Sequence, residues 1–298
     1  MDLAAPADWL TALLREPAES QRVASGGSEV ELLIWGQRGL PGLFLLHGAG
    51  AHAHWWDGVA PLLARHYRVA AMTLPGNGAS GWRERYSSAD FWQDACACVA
   101  AASLADTGAP VFIGHSMGGA HLMHGAIHAP DAMRGLVLLD TSFRSPGAGR
   151  PPAASTAARR LFMTEAAALD RFRPMPPGPT REPALVEHVA RHALMPVCGP
   201  DGETRWCWRA DPAYWHKFER GIEQGPYPQP LQPRVPTVQF IAEQSHVAST
   251  DLPLDDEVAR IVLPACGHHV MLDRPLALVA ALRSLLAVWP RSRDQRHC

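Results

Sequence analysis

The chain has 298 residues, 47% hydrophobic and 19% charged, which suits a folded globule and excludes intrinsic disorder. Its formal net charge is −2 and its pI near 6.7, so no basic face for nucleic acid is expected. No apolar run approaches the roughly 18 residues of a membrane span. Asp2 and Asp8 stand where a secretory leader carries basic residues, so a cytoplasmic protein with no membrane partner is expected.

At the start of the chain, Trp9, Leu10, Leu13 and Leu14 fall at helical spacing and predict a short amphipathic helix. SQRVASGGSEVELLIWG then reads as two strands joined by a turn at Gly26 and Gly27. Apolar strands at 43–46, 68–72, 111–113 and 136–139 alternate with helical stretches at 54–66, 88–105 and 117–129. Strands alternating with helices need crossover connections, which predicts an α/β fold: a mostly parallel, twisted sheet flanked by helices.

The rhythm breaks beyond residue 144. Of the 27 prolines, 16 fall between Pro146 and Pro236, together with Trp206, Trp208 and Trp215. Helical periodicity survives at 159–172 and 181–194, which argues against a disordered linker. Strands at 237–241 and 259–263 and a helix at 276–289 resume the earlier pattern. The expectation is a core of residues 1–144 and 233–298, interrupted by a helical, Pro- and Trp-rich cap at 145–232.

Chemistry concentrates at Gly114-His115-Ser116-Met117-Gly118, a G-x-S-x-G stretch between a strand and a helix. The glycines are needed because a serine on so sharp a turn leaves no room for neighbouring β-carbons. Ser116 is the candidate nucleophile. Its oxyanion would be held by the backbone N–H of Met117 and by a second N–H from LFLLHGAG at 43–50, where Ala49 is the choice. The base should be a histidine late in the chain, and ACGHHVMLDRP at 265–275 offers His268 and His269 between the last strand and the last helix.

These stretches resemble the α/β-hydrolase superfamily, whose members commonly read G-H-x-x-x-x-D/E-x-P at this turn. The resemblance runs from about Ser20 to Trp289 and selects His268 as base, with Asp273 and Pro275 in register. His269 then packs into the turn. LPGNGAS at 74–80 matches the family's turn after its fourth strand, although Thr73 replaces the aspartate often found before it. Serine at the elbow separates the chain from relatives that use aspartate or cysteine there, and implies acyl transfer to water.

The orienting acid departs from the family pattern. The register of VPTVQFIAEQSHVAST places Ser245 where the triad aspartate usually stands, and serine carries no charge to stabilise an imidazolium. Asp140, at the end of GLVLLD, is the preferred substitute, because some family members supply the acid from that strand. Glu243 is the alternative, and a chain with no working acid is the third possibility.

The resemblance thus implies a serine hydrolase with catalytic Ser116, His268 and Asp140, an oxyanion hole at Ala49 and Met117, and no cofactor. Its expected substrate is a small or medium carboxylic ester or lactone. A C–C bond hydrolase of ring-cleavage products and a non-hydrolytic small-molecule receptor are the competing readings. No metal site is expected. His121, His124 and His128 share a helix face without a carboxylate pattern, and His47, His52 and His54 read as lining the entrance with Trp55 and Trp56. Cys96, Cys98, Cys198, Cys207, Cys266 and Cys298 include no C-x-x-C pair and read as reduced, mostly buried thiols.

Overall fold

A computed structural model describes residues 8–141, 159–179, 182–218, 231–245, 247 and 258–289. The expected start of the cap at 145, Asp2 and Cys298 lie outside the described residues. The first helix, α1, spans Asp8–Leu13. Strands β1 (Glu19–Ser25) and β2 (Ser28–Trp35) form an antiparallel hairpin, with Gly26 and Gly27 at φ +52° and +77° in its turn. Positive φ at both central residues is what a two-residue hairpin turn demands, and glycine meets it without steric cost.

The core strands are β3 (Gly42–Leu46), β4 (Arg68–Met72), β5 (Val111–His115), β6 (Gly135–Leu139), β9 (Thr237–Ala242) and β10 (Ala259–Leu263). With the first hairpin they make an eight-stranded sheet in the order β1-β2-β4-β3-β5-β6-β9-β10. Only β1/β2 and β2/β4 pair antiparallel; the other neighbours are parallel. Every residue of β3, β4, β5 and β6 is buried, which is why these segments read as continuous apolar runs rather than alternating ones.

Helices α3 (Ser88–Ala101), α4 (Met117–His128) and α9 (Pro275–Val288) cover the sheet. The single helix expected at 54–66 is broken. A 3-10 turn at Ala53–Trp56 is followed by the short α2, Ala60–Leu63, with Pro61 in its first turn. Proline lacks an N–H and tolerates only the start of a helix, so it opens α2 instead of continuing the turn before it.

The insertion carries helical elements but is not wholly helical. Helices α5 (Glu165–Leu169), α6 (Pro183–His192) and α7 (Tyr214–Lys217) accompany an antiparallel hairpin of β7 (Leu194–Cys198) and β8 (Thr204–Trp208). The helix expected at 159–172 begins only at α5, where Thr164 caps it by accepting from the Ala167 N–H at 3.1 Å. Upstream, Phe162 exchanges two backbone hydrogen bonds with Trp206 and extends the hairpin instead. Leu185 and Val189 of α6 are fully buried in the same apolar cluster as Leu43, Leu45 and Ile113 of the sheet. No described helix is long and apolar enough to cross a membrane. Cys98, Cys207 and Cys266 are buried, Cys96 is half-buried and Cys198 is exposed, all five as free thiols.

Candidate active site

Ser116 sits between β5 and α4 with φ +53° and ψ −125°, a conformation L-residues rarely adopt. Close packing on both sides imposes it. A β-carbon at Gly114 would lie 2.5 Å from the Gly119 Cα, and one at Gly118 would lie 2.3 Å from the His47 carbonyl oxygen. The Ser116 N–H remains bonded to the Leu139 carbonyl at 2.9 Å, which anchors the elbow to β6.

His268 lies in the turn after β10, just ahead of the short α8 (Val270–Asp273). Its Nε2 is 3.0 Å from Ser116 Oγ, and its Nδ1 is 2.7 Å from Asp140 Oδ2. The turn is braced by Asp273, whose carboxylate accepts the Gly267 N–H at 2.8 Å. His115 adds a second brace, with its Nε2–H donated to the His268 carbonyl at 2.9 Å. His115 is buried and held well below the usual imidazole range by that burial and by its histidine neighbours, so it stays neutral.

Asp140 is fully buried at the end of β6, with φ +44°. Its Oδ1 accepts the Ala242 N–H at 3.0 Å, and its Oδ2 accepts the Ser245 hydroxyl at 2.5 Å beside His268. Ser245 therefore reaches the place its register implied, as a donor to a carboxylate from the neighbouring strand. Glu243 points elsewhere and accepts the Ala265 N–H at 2.7 Å.

A match to the alpha/beta hydrolase family covers residues 43–282, from β3 into α9 and across this whole constellation. The chain belongs to the alpha/beta hydrolase family. Esterase Rv0045c of Mycobacterium tuberculosis is 35% identical over 124 residues, 42% of this chain and 40% of its own length. Pyrethroid hydrolase of Sphingobium wenxiniae is 34% identical over 108 residues, 35% of this chain and 37% of its own length. The chain thus spans less than half the length of either relative. Lipase LipV of M. tuberculosis is 28% identical over 261 residues, 85% of this chain and 95% of its own length. Among solved structures, E-2-(acetamidomethylene)succinate hydrolase aligns with a TM-score of 0.72 at 20% identity, covering 91% of this chain and all of its own.

In this alpha/beta hydrolase the loop after β3 faces the elbow. His47 Nδ1–H donates to the Gly48 carbonyl at 2.7 Å, and its Nε2 accepts the Leu74 N–H at 2.9 Å. Burial pushes His47 down to about 4, so both bonds are made by a neutral ring. Among the described residues, the N–H groups of Ala49 and Met117 have no protein acceptor. A free N–H at a helix start carries partial positive charge, which suits it to a developing oxyanion.

His269 does not reach the serine. Its Nε2 bonds the Pro176 carbonyl at 3.1 Å, its ring meets the edge of Trp55 at 5.2 Å, and burial with the adjacent His268 lowers it to about 4. Thr73, found where relatives often have aspartate, donates to Glu31 of β2 at 2.7 Å and accepts the Ala53 N–H at 2.8 Å. His121 packs between Phe91 and Phe218, and His124 pairs with His128. None of those three helix histidines joins a three-ligand cluster among the described residues. The bracing by His115 and the donor role of Ser245 were absent from the sequence reading. Only the adjacency of β6 and β9 makes the second of them visible.

Proposed function

We propose that the chain is a serine hydrolase that cleaves a small or medium carboxylic ester or lactone through an acyl-enzyme intermediate. The observation carrying this reading is the unbroken relay from Ser116 Oγ to His268 to the buried Asp140 carboxylate. Ser116 attacks the carbonyl carbon while its proton passes to His268 Nε2. Asp140 fixes the tautomer and stabilises the imidazolium that forms. The N–H groups of Ala49 and Met117 hold the oxyanion as the tetrahedral intermediate develops. His268 then protonates the leaving alcohol and activates water to release the acid.

The esterase, lipase and pyrethroid hydrolase among the relatives support the ester class. The described part of the insertion, residues 159–179 and 182–218, is read here as the cap over this site, and its tryptophans suit a substrate with an apolar part. A buried carboxylate on His268 argues against a receptor that binds without turnover. The test is hydrolysis of a p-nitrophenyl ester panel by the wild type and Ser116→Ala, together with mass spectrometry after an organophosphonate. Turnover should fall by about three orders of magnitude or more in the variant, and the phosphonyl adduct should map to Ser116. A variant that keeps most of its activity would rule out the acyl-enzyme.

A further inference from the structure

Away from the serine, a second group of side chains converges where the insertion meets the core. His54 and Asp57 lie three residues apart on the turn at 53–57, and His188 and His192 lie four apart on α6. Each spacing puts a pair on one face of its own element, so two faces carrying two donors each oppose one another. One ligand atom from each of the four lies within 4.8 Å of the other three. His54 Nδ1 and His188 Nε2 both approach Asp57 Oδ2, at 2.8 and 2.6 Å, and the His54 and His192 rings stack with centroids 3.5 Å apart. The second carboxylate oxygen, Asp57 Oδ1, is buried without a hydrogen-bond partner among the described residues.

We propose that His54, Asp57, His188 and His192 bind one divalent metal ion of the zinc class. Three imidazoles and one carboxylate satisfy a tetrahedral ion without water, the closed donor set of a structural site. Metal–ligand bonds of about 2.0–2.1 Å put tetrahedral donors a little over 3 Å apart, so the four donors are close enough, and the stacked His54 and His192 rings, only 14° from parallel, must turn apart for each to point a nitrogen at the ion. An imidazole-rich set selects zinc, nickel or copper over magnesium or calcium, which prefer oxygen ligands.

The surroundings fit a ligand role for His54. Glu31 Oε1 lies 3.9 Å from its Nε2, on the side away from Asp57, and the Glu31 carboxylate is held by the Thr73 hydroxyl at 2.7 Å. At 3.9 Å this is no hydrogen bond, but a modest turn of the ring would bring Glu31 to the place where zinc sites carry a carboxylate behind a ligating histidine. His52, two residues before His54, also binds α6 through the Val189 carbonyl at 3.0 Å. The ion would therefore pin α6 to the segment that follows the oxyanion loop. It would act as a staple, with no part in the chemistry at Ser116.

The experiment uses the full chain, stripped with a chelator and dialysed against zinc or cobalt(II). Elemental analysis should find one zinc per chain, cobalt should give the intense visible bands of a four-coordinate site, and the melting temperature should rise with metal. Asp57→Asn and His192→Gln should each weaken zinc binding by at least about 100-fold. His192 meets its neighbours through ring contacts, so its replacement should leave the chelated protein with the wild-type melting temperature. Because His115, His268 and His269 form the other histidine cluster, His268→Ala is the control and should bind zinc as the wild type does. Failure to retain zinc, weak six-coordinate cobalt bands, or loss of metal in His268→Ala would each overturn the proposal. None of these readouts depends on ester hydrolysis.

Discussion

Asp140 has three donors for two oxygens: the Ala242 N–H, the Ser245 hydroxyl and the His268 ring. Those three donors fix the carboxylate against the imidazole, the orientation that the proposed relay requires. Asp140→Asn keeps the shape but presents an amide to the imidazole and selects the wrong tautomer. Turnover should drop by roughly 10³–10⁴ while the far-UV spectrum stays native. Ser245→Ala removes one donor of three and should cost about tenfold in kcat, near 1.4 kcal/mol of barrier. Glu243→Gln should lie within about twofold of wild type, since that side chain serves the Ala265 turn. A larger loss in Glu243→Gln than in Asp140→Asn would move the acid to the other residue. The sequence offers Asp140 as the proposed acid because a serine at the usual position leaves the charge to be found elsewhere. The donor role of Ser245 is not legible there, since it depends on where two strands end in space.

That spatial relation belongs to the elements. β6 and β9 pair in parallel, Leu139 opposite Phe240, so their C-terminal ends emerge side by side under the same imidazole. An acid on either strand can reach that ring, so a departure from the family register on β9 need not remove the acid of the proposed relay. The strands and crossover helices were legible because full burial writes them as apolar runs. The insertion was less so: β7 and β8 are short, partly exposed and interrupted by Pro196, and their partner Phe162 lies more than thirty residues upstream of β7. Two described parts of the insertion grip the core: the 211–218 segment, where Tyr86 bonds Asp211 at 2.7 Å and packs on Tyr214, and α6. Gly58 leaves the space that Leu185 fills; a β-carbon there would come within 2.8 Å of the Leu185 side chain. Leu185→Ala should cost about 2–5 kcal/mol in urea denaturation, as for other fully buried leucines. A loss under about 0.5 kcal/mol would mean that α6 docks only loosely.

Over the whole molecule, the 15 histidines set how the fold responds to acid. His47, His52, His115, His121 and His269 are buried, and burial pushes each below the ordinary imidazole range, His47 and His269 to about 4 and His121 to about 3. In the unfolded chain each titrates near 6.5. Above that value both states are neutral and nothing is lost. As pH falls below it, the unfolded chain gains protons that the native state refuses, so stability declines until the native rings titrate. Each such ring contributes a slope of about 1.4 kcal/mol per pH unit, and five together can consume a large share of the 5–15 kcal/mol that holds a domain folded. Between pH 6.5 and 5 ordinary carboxylates stay mostly ionised in both states, so this window reports the histidines. Urea denaturation at steps across it should show stability falling steeply with acid, and unfolding without denaturant should begin well above the carboxylate range. His121, wedged between Phe91 and Phe218 beside Ser88 Oγ at 3.0 Å, is the ring to remove. His121→Gln should flatten the slope by about 1.4 kcal/mol per pH unit, whatever it does to stability at pH 8. An unchanged slope in that variant would show that His121 takes up its proton in the native state, despite its burial.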